Sequence, residues 1–462
     1  MRKTLFIILI AGTCFTGCKK FLDVNKDPNN PVDVQESLIL APVELNISDN
    51  IQGGNVGIIV QNYVQNIAAN QLNPYVGSYQ LFNTDMDGDW TNFYVTSLNN
   101  LITLNKKAEA NGNYNYAAIA KILTAYTLGT ATDFWGDIPY SKGFSPANFL
   151  VPYDKQEDIY KSIQSLLANA IADIDKNSNV KTPSGDDYFY NGDMSRWRKL
   201  AWSLKARYFI HLTKAPGYTA ANQASQAMVA LQQGMMSNDD DMKFNYTGAA
   251  GSENIWYLTF TPVTTYVMNA TLVDSLVNRN DPRLSKIVLP ASATSQYTGR
   301  RIGTATGTLE SYSYPAAFYS AKSSSNYIFS YSEALFVQAE ALLITQGAAA
   351  AQPVYVRAIN SHLSKLGIDT TSAAALSYVQ RRALSGGNAL QRIMEEKAVA
   401  NIFNFETYND WRRTGYPALK KVDGALIDIP RRLLYPQSEI LSNPQPQQTA
   451  VQSTRIWWDV SQ

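Results

Sequence analysis

The sequence predicts a mainly α-helical fold in which tetratricopeptide-like helix pairs stand beside an irregular, loop-rich region. Two observations predict it. Apolar residues recur at helical spacing in segment after segment of the 462 residues, whereas 239–262 and 290–326 carry no sustained helical period and are rich in Gly, Ser, Thr and aromatic side chains. The spacing Trp197-x2-Leu200-Ala201-x2-Leu204 resembles the first helix of a tetratricopeptide unit, where a large residue wedges between helices and a small one allows close approach. No clean 34-residue period recurs, so the array is degenerate.

At the start of the chain, Arg2 and Lys3 precede an apolar run from Leu5 to Ala11, far shorter than the roughly 20 residues that span a bilayer, so 1–17 reads as an export signal. Gly17 sits directly before Cys18, as a lipoprotein signal peptidase requires, although Phe15 replaces the usual Leu. Cys18 is then the lipid-bearing first residue of the mature protein, and Cys14 leaves with the signal. No internal disulfide remains possible, so a body with 45% apolar residues must be held by packing. Residues 18–31, with Pro28 and Pro31 among turn formers, form a tether to a single body over 32–462.

Helical spacing covers Leu38–Ile47 and Val56–Ala69, and the break at 70–89 is a long loop holding Pro74, Gly77 and Gly88. A helix starting at Trp90 ends before Asn111-Gly112-Asn113. The degenerate pairs lie at about 116–234 and 331–366. In the first, Tyr116–Thr130 and Gln156–Lys176 flank an irregular turn at 132–140, and Ser195–Thr213, capped by Ser195, pairs with Asn222–Gln233. Tyr266–Val277 reads as a helix stopped by Asp281-Pro282. In the second, Tyr331–Thr345 pairs with Pro353–Leu366, whose proline fits a first turn. Leu390–Phe405 is the last long helix. Five prolines after Tyr416 turn the tail into an irregular wrap.

Charge and motifs exclude several functions. Lys and Arg number 39 against 38 Asp and Glu, scattered along the chain, which leaves no electrostatic footprint for nucleic acid. His211 and His362 are the only histidines and form no metal-ligand pair; His211, near a helix end, suits a capping or surface role. There is no nucleophile elbow, and Gly303-x3-Gly307 lacks the Lys-Ser/Thr of a phosphate loop. Asp85-Met86-Asp87-Gly88-Asp89 fails the calcium-loop pattern, because its Gly is fourth and Thr96 stands where the twelfth-position Glu belongs, and reads as a solvated acidic turn. Neither a cofactor nor a metal is expected. A hydrolase would need only two facing carboxylates, so a lipid-anchored glycoside hydrolase is the enzyme alternative to a non-enzyme.

Six motifs in order, Cys18-Lys19-Lys20-Phe21-Leu22-Asp23, 133–140 (DFWGDIPY), Trp197 to Arg207, Asp281-Pro282-Arg283-Leu284, Tyr331-Ser332-Glu333-Ala334 with Ala339-Glu340-Ala341, and 411–417 (WRRTGYP), together resemble the SusD/RagB family of outer-membrane lipoproteins of Bacteroidetes. The resemblance implies a helical body with a loop-rich ligand-binding face. It implies a cell-surface protein, anchored in the outer membrane through Cys18, that captures oligosaccharides, or peptides in RagB-like members, for a SusC-type TonB-dependent transporter.

Trp135, Asp137, Trp411, Arg412 and Arg413 mix apolar bulk with charges that pair in a partly buried network, a structural role. Sugar capture wants exposed aromatic faces with polar neighbours, which loops supply, and the 28 Tyr and eight Trp offer many. The loop-rich regions at about 70–90, 239–266 and 290–326 therefore supply the candidates Asn73, Tyr75, Tyr79, Trp90, Trp256, Tyr257, Tyr266, Tyr312 and Tyr314. Asp85 and Asp87 are available beside them, Tyr319 lies in the third region, and Trp90, first on a helix stripe, suits the core as well. Substituting Cys18 by Ala is expected to abolish surface retention without unfolding the protein; fractionation of cells with protease shaving checks it, and a variant that stays tightly membrane-bound after signal removal would require another anchor.

Overall fold

The computed structural model describes residues 34–145, 150–261 and 265–460, so the signal, Cys18 and the tether lie outside the described residues. Helix α1 (Glu36–Asn46) passes through a π-helical stretch, Ile47–Gln52, to α2 (Asn55–Tyr63). The helix expected to reach Ala69 stops early, because Gln65 takes a left-handed φ of 57° that a helix cannot contain. The apolar run that follows forms β1 (Ile67–Ala69) instead. Helix α3 (Asp87–Thr91) continues through π-helical Asn92–Asn99 into α4 (Asn100–Asn111), closed by Gly112 in the left-handed region.

Helix α5 (Tyr114–Trp135) is the centre of the body, since every residue from Tyr116 to Trp135 is buried. Asp133, Phe134 and Trp135, expected in an irregular turn, are its last turn, and the break comes at Gly136 with φ 77°. Then come α6 (Gln156–Asp175), α7 (Met194–His211) and α8 (Ala220–Leu231). The cap of α7 is Asp193, whose carboxylate accepts from the N–H groups of Ser195 and Arg196; Ser195 already lies inside the helix.

The next hundred or so residues are mostly irregular, with β2 (Met242–Asn245), α9 (Ile255–Phe260), β3 (Tyr266–Met268), α10 (Ala270–Asn278), α11 (Leu284–Ile287), α12 (Ala317–Ser320) and β4 (Ser325–Phe329). Two antiparallel ribbons tie this region down: β1 with β3, Ala69 opposite Tyr266, and β2 with β4. Tyr266–Met268 is thus a strand rather than the start of a helix. Helices α13 (Tyr331–Gln346), α14 (Ala348–Lys365), α15 (Ala373–Arg381), α16 (Ala389–Ala400), α17 (Glu406–Thr414) and α18 (Gln437–Ser442) follow. Pro353 lies inside α14, beyond its first turn.

Packing runs α5 on α6, α6 on α7, α7 on α8, then α8 on α13 and α13 on α14. The helix array is therefore continuous in space although the irregular region interrupts it in sequence, which is why no fixed period recurs. Ala206, Ala224, Ala227, Ala230 and Ala341 line the junction, and their small side chains let α7, α8 and α13 approach closely. The tail wraps the end of α5: the Leu433 N–H donates to Phe134 O at 2.9 Å and the Trp135 indole to Leu434 O at 2.8 Å.

A buried charge network joins these layers. Glu406 accepts from His211 Nε2 at 2.8 Å and Lys397 Nζ at 3.3 Å, with Arg207 Nε 3.9 Å away. Arg207 grips Glu333 with two bonds of 2.7 and 2.8 Å, and Arg413 pairs with Glu340 and Asp410. His211, expected near the surface, is fully buried, because its other ring nitrogen meets the Tyr160 hydroxyl at 2.9 Å. Burial opposes ionisation of Glu406, yet His211, Lys397 and Arg207 hold its carboxyl well below the usual range. Replacing Glu406 by Ala takes the carboxylate from His211 Nε2 and leaves Lys397 with Asp410 alone and Arg207 with Glu333 alone; it is expected to cost about 3–5 kcal/mol in urea unfolding, against less than about 1 kcal/mol for Lys161→Ala in an exposed pair.

Candidate functional site

An open cleft of about 520 Å³ lies where the ends of several of these elements meet. Asn50 comes from the π-helical stretch, Asn55, Ile58 and Ile59 from α2, and Val76, Gln80 and Leu81 from the loop that follows β1. Asp85 stands on a 3₁₀ turn, Gly88 and Asp89 on α3, Asn92 just beyond it, and Tyr266 on β3. Ile58, Ile59, Val76, Leu81 and Tyr266 are the apolar part of the lining, and four amides and two carboxylates are the polar part. The groove between α1 and α4 is larger, about 670 Å³, but has no aromatic ring in its lining, which joins aliphatic side chains to Asn100, Thr103, Lys106 and Lys107.

The polar groups are held in place from behind. Asp89 is 3% exposed; its carboxylate accepts from Asn55 Nδ2 at 2.7 Å and from the Val56 N–H, so it caps the start of α2 from a neighbouring helix. Asn55 also donates to Asp85 O at 3.0 Å, and the Asp85 carboxylate accepts from the Phe82 N–H at 2.8 Å. Asn46, buried beneath, donates to Asn92 O at 3.0 Å and accepts from Asn50 at 2.8 Å. The side-chain amides of Gln80 and Asn92 have no hydrogen-bond partner among the described residues and face open space.

Of the residues the sequence singled out, Tyr266 and Asp85 line this cleft. Four others are core. Tyr75 lies against Gly77 with its hydroxyl donating to Ala69 O at 3.3 Å, and Tyr79 accepts from the Val422 N–H at 3.2 Å. Trp90 stacks on Tyr94 at 4.3 Å, and Trp256 stacks on Phe403 at 4.6 Å, so neither indole offers an open face. Trp256 and Tyr257 belong to α9, a short helix rather than a loop, whose N-cap Asn254 accepts from both N–H groups. Asn73 is half-buried and donates to Asp423 O. Tyr257, Tyr312 and Tyr314 are half-exposed but stand elsewhere, beside Lys322, Arg300 and Phe260 respectively. Tyr319 is buried with its hydroxyl on His362.

The acidic turn is not wholly solvated: Asp87 accepts from Ser438, and Asp89 is buried in its capping role. No group of acids, histidines and cysteines among the described residues could hold a metal. The residues that the sequence reading passed over are amides: Asn50, Asn55, Gln80 and Asn92. A usable signal was present, because residues 27–105 contain no Lys, Arg or His while Asn and Gln are dense there.

A mainly helical body with an open cleft lined by apolar side chains, amides and two carboxylates is the architecture these elements build. The chain belongs to the SusD/RagB family: the SusD-like family model described as "Starch-binding associating with outer membrane" matches residues 28–436. The fold is shared with a structure titled chitin-binding protein, at 24% identity and TM-score 0.81 over 92% of this chain and 100% of that one. It is shared with a SusD/RagB family protein from Bacteroides thetaiotaomicron, 22% identical with TM-score 0.79, and with a chitin-binding SusD homolog from Flavobacterium johnsoniae with the same figures, each covering 92% of this chain and 99% of its own. No curated protein matches the chain. Among the described residues no helix is long and apolar enough to cross a membrane.

Burial pushes the Asp89 carboxyl up to about 6. The folded state therefore holds a proton that the unfolded chain has lost, and stability falls as pH rises from about 4 to 6, the cost being complete above that. Asp89→Asn keeps an acceptor for the cap and is expected to raise stability at pH 7.5 by about 1–3 kcal/mol, with the gain vanishing near pH 4; thermal unfolding across that range measures it.

Proposed function

We propose that this protein captures oligosaccharides in the Tyr266 cleft at the cell surface and delivers them to a SusC-type TonB-dependent transporter, while a lipid on Cys18 anchors it to the outer membrane. The observation that carries the reading is that one lining combines the Tyr266 ring and aliphatic side chains with the unengaged amides of Gln80 and Asn92. A pyranose presents the complementary surface, C–H groups on one face and hydroxyls around its rim. The family's description as starch-binding and outer-membrane-associated supports the same class of ligand.

Two carboxylates in one cleft also raise the hydrolase reading. Binding is favoured, since Asp89 spends its carboxylate on Asn55 and the α2 N-terminus and lies almost wholly out of solvent. Incubation of the purified protein with oligosaccharides decides this: shortened products that disappear in Asp89→Asn would make it an enzyme.

Calorimetry against a panel of oligosaccharides and peptides tests the capture itself, and binding of peptides alone would replace sugar with peptide uptake. Removing the stacking face in Tyr266→Ala is expected to weaken oligosaccharide binding about tenfold or more, and Tyr312→Ala to leave it unchanged. The reverse pattern would move the site to the 290–326 region.

A further inference from the structure

Every residue lining the cleft except Tyr266 comes from the 27–105 stretch that contains no Lys, Arg or His. The lining thus holds two acids, Asp85 and Asp89, and no basic side chain. No base is within ion-pairing distance of either acid among the described residues: Asp85 is held by the Phe82 N–H, and Asp89 by Asn55 and the Val56 N–H. Arg300, which reaches the same loop at Gln71 O, is 1% exposed and turns its donors to backbone carbonyls and to Thr304. Asp87, the third acid of the turn, points away to Ser438.

We infer that the cleft selects among glycans by charge, accepting sugars that are neutral or carry an ammonium group and rejecting those that carry carboxylate or sulfate. The inference rests on the oligosaccharide-binding reading and sharpens it. An incoming anion would lose its hydration against two carboxylates with no cation to compensate, whereas a hydroxyl meets Gln80 and Asn92, and an amine meets Asp85. Asp85 is the exposed member of the pair, so it carries the part of the discrimination that a substitution can remove without disturbing the cap on α2.

The test compares maltohexaose and cellohexaose in three forms: unmodified, with C6 hydroxyls oxidised to carboxylates, and with C6 hydroxyls replaced by amines. Calorimetry at pH 7.5 and low salt is expected to give binding of an unmodified chain, equal or tighter binding of its amine form, and at least about tenfold weaker binding of its carboxylate form. Asp85→Asn and 0.5 M NaCl should each narrow the gap between amine and carboxylate forms. Carboxylate forms that bind as tightly as the unmodified chain overturn the charge selection and leave sugar capture standing. A gap that persists unchanged in Asp85→Asn and in salt overturns it too, because the cause is then steric. No binding of any form, with peptides bound instead, overturns the oligosaccharide reading itself.

Discussion

The helical body depends on Glu406, a carboxylate with no access to water. It receives His211 from α7 and Lys397 from α16, and Arg207 beside it locks α13 through Glu333. Ion pairs of this kind gain little over apolar packing, but they are intolerant of a missing partner. Their effect is positional: each helix can dock in only one register, since any slide would leave a charge stranded in the core. Arg413 with Glu340 and Arg283 with Asp281 and Glu396 repeat the device toward α14–α16. A helix array without a regular sequence repeat needs such registration, because Ala-lined junctions alone are smooth.

With the body fixed, the cleft follows from how short elements end on it. The left-handed turn at Gln65 diverts the chain from α2 into β1, and the pairing of β1 with β3 carries Tyr266 back beside Ile58 and Ile59. Asp89 ties the start of α2 to α3, and Asn46 ties the π-helical stretch to Asn92. Asn50, Asn55 and Asp85 are thus anchored by partners within the protein, which limits the ordering that a ligand would have to impose on them, whereas the Gln80 and Asn92 amides are not held in this way.

Much of the fold was legible because amphipathic helices announce themselves by period. The α5–α8 and α13–α14 segments were readable to within about five residues; of the charged motif residues read as a paired network, Arg413 is ion-paired to Glu340 and Asp410, whereas Arg412 donates to two carbonyls and Asn409, and Asp137 accepts from the Gln156 N–H. What failed was local geometry. Nothing in the spacing of Val56–Ala69 shows that Gln65 adopts a positive φ, and His211 looked peripheral because its partners Tyr160 and Glu406 are distant in sequence. The site was less legible still. Aromatic residues without helical spacing read as exposed loop faces, yet Tyr75, Tyr79 and Trp256 are packed because irregular segments of a large body need cores of their own. Of the aromatic candidates Tyr266 alone lines the cleft, and the amides around it carry no periodic signature. Charge composition did mark the region, since a long segment free of basic residues in a chain of balanced charge is a departure that periodicity analysis does not register.

That departure bears on why Asp89 is an acid at all. Capping α2 requires an acceptor near the Asn55 side chain and the Val56 N–H, and an asparagine oxygen meets that requirement without charge. The carboxylate is the costlier choice, because burial disfavours its ionised form, and at neutral pH it is ionised nonetheless. Charge in excess of the capping need thus stands in the wall of a cleft whose lining holds no cation, which is the asymmetry the proposed charge selection uses. The same reasoning separates Asp89 from Glu406. There the charge is matched by bases on three sides and serves the fold; here no base stands within ion-pairing distance among the described residues, and the carboxylate lies in the wall of the cleft that Gln80, Asn92 and Tyr266 also line.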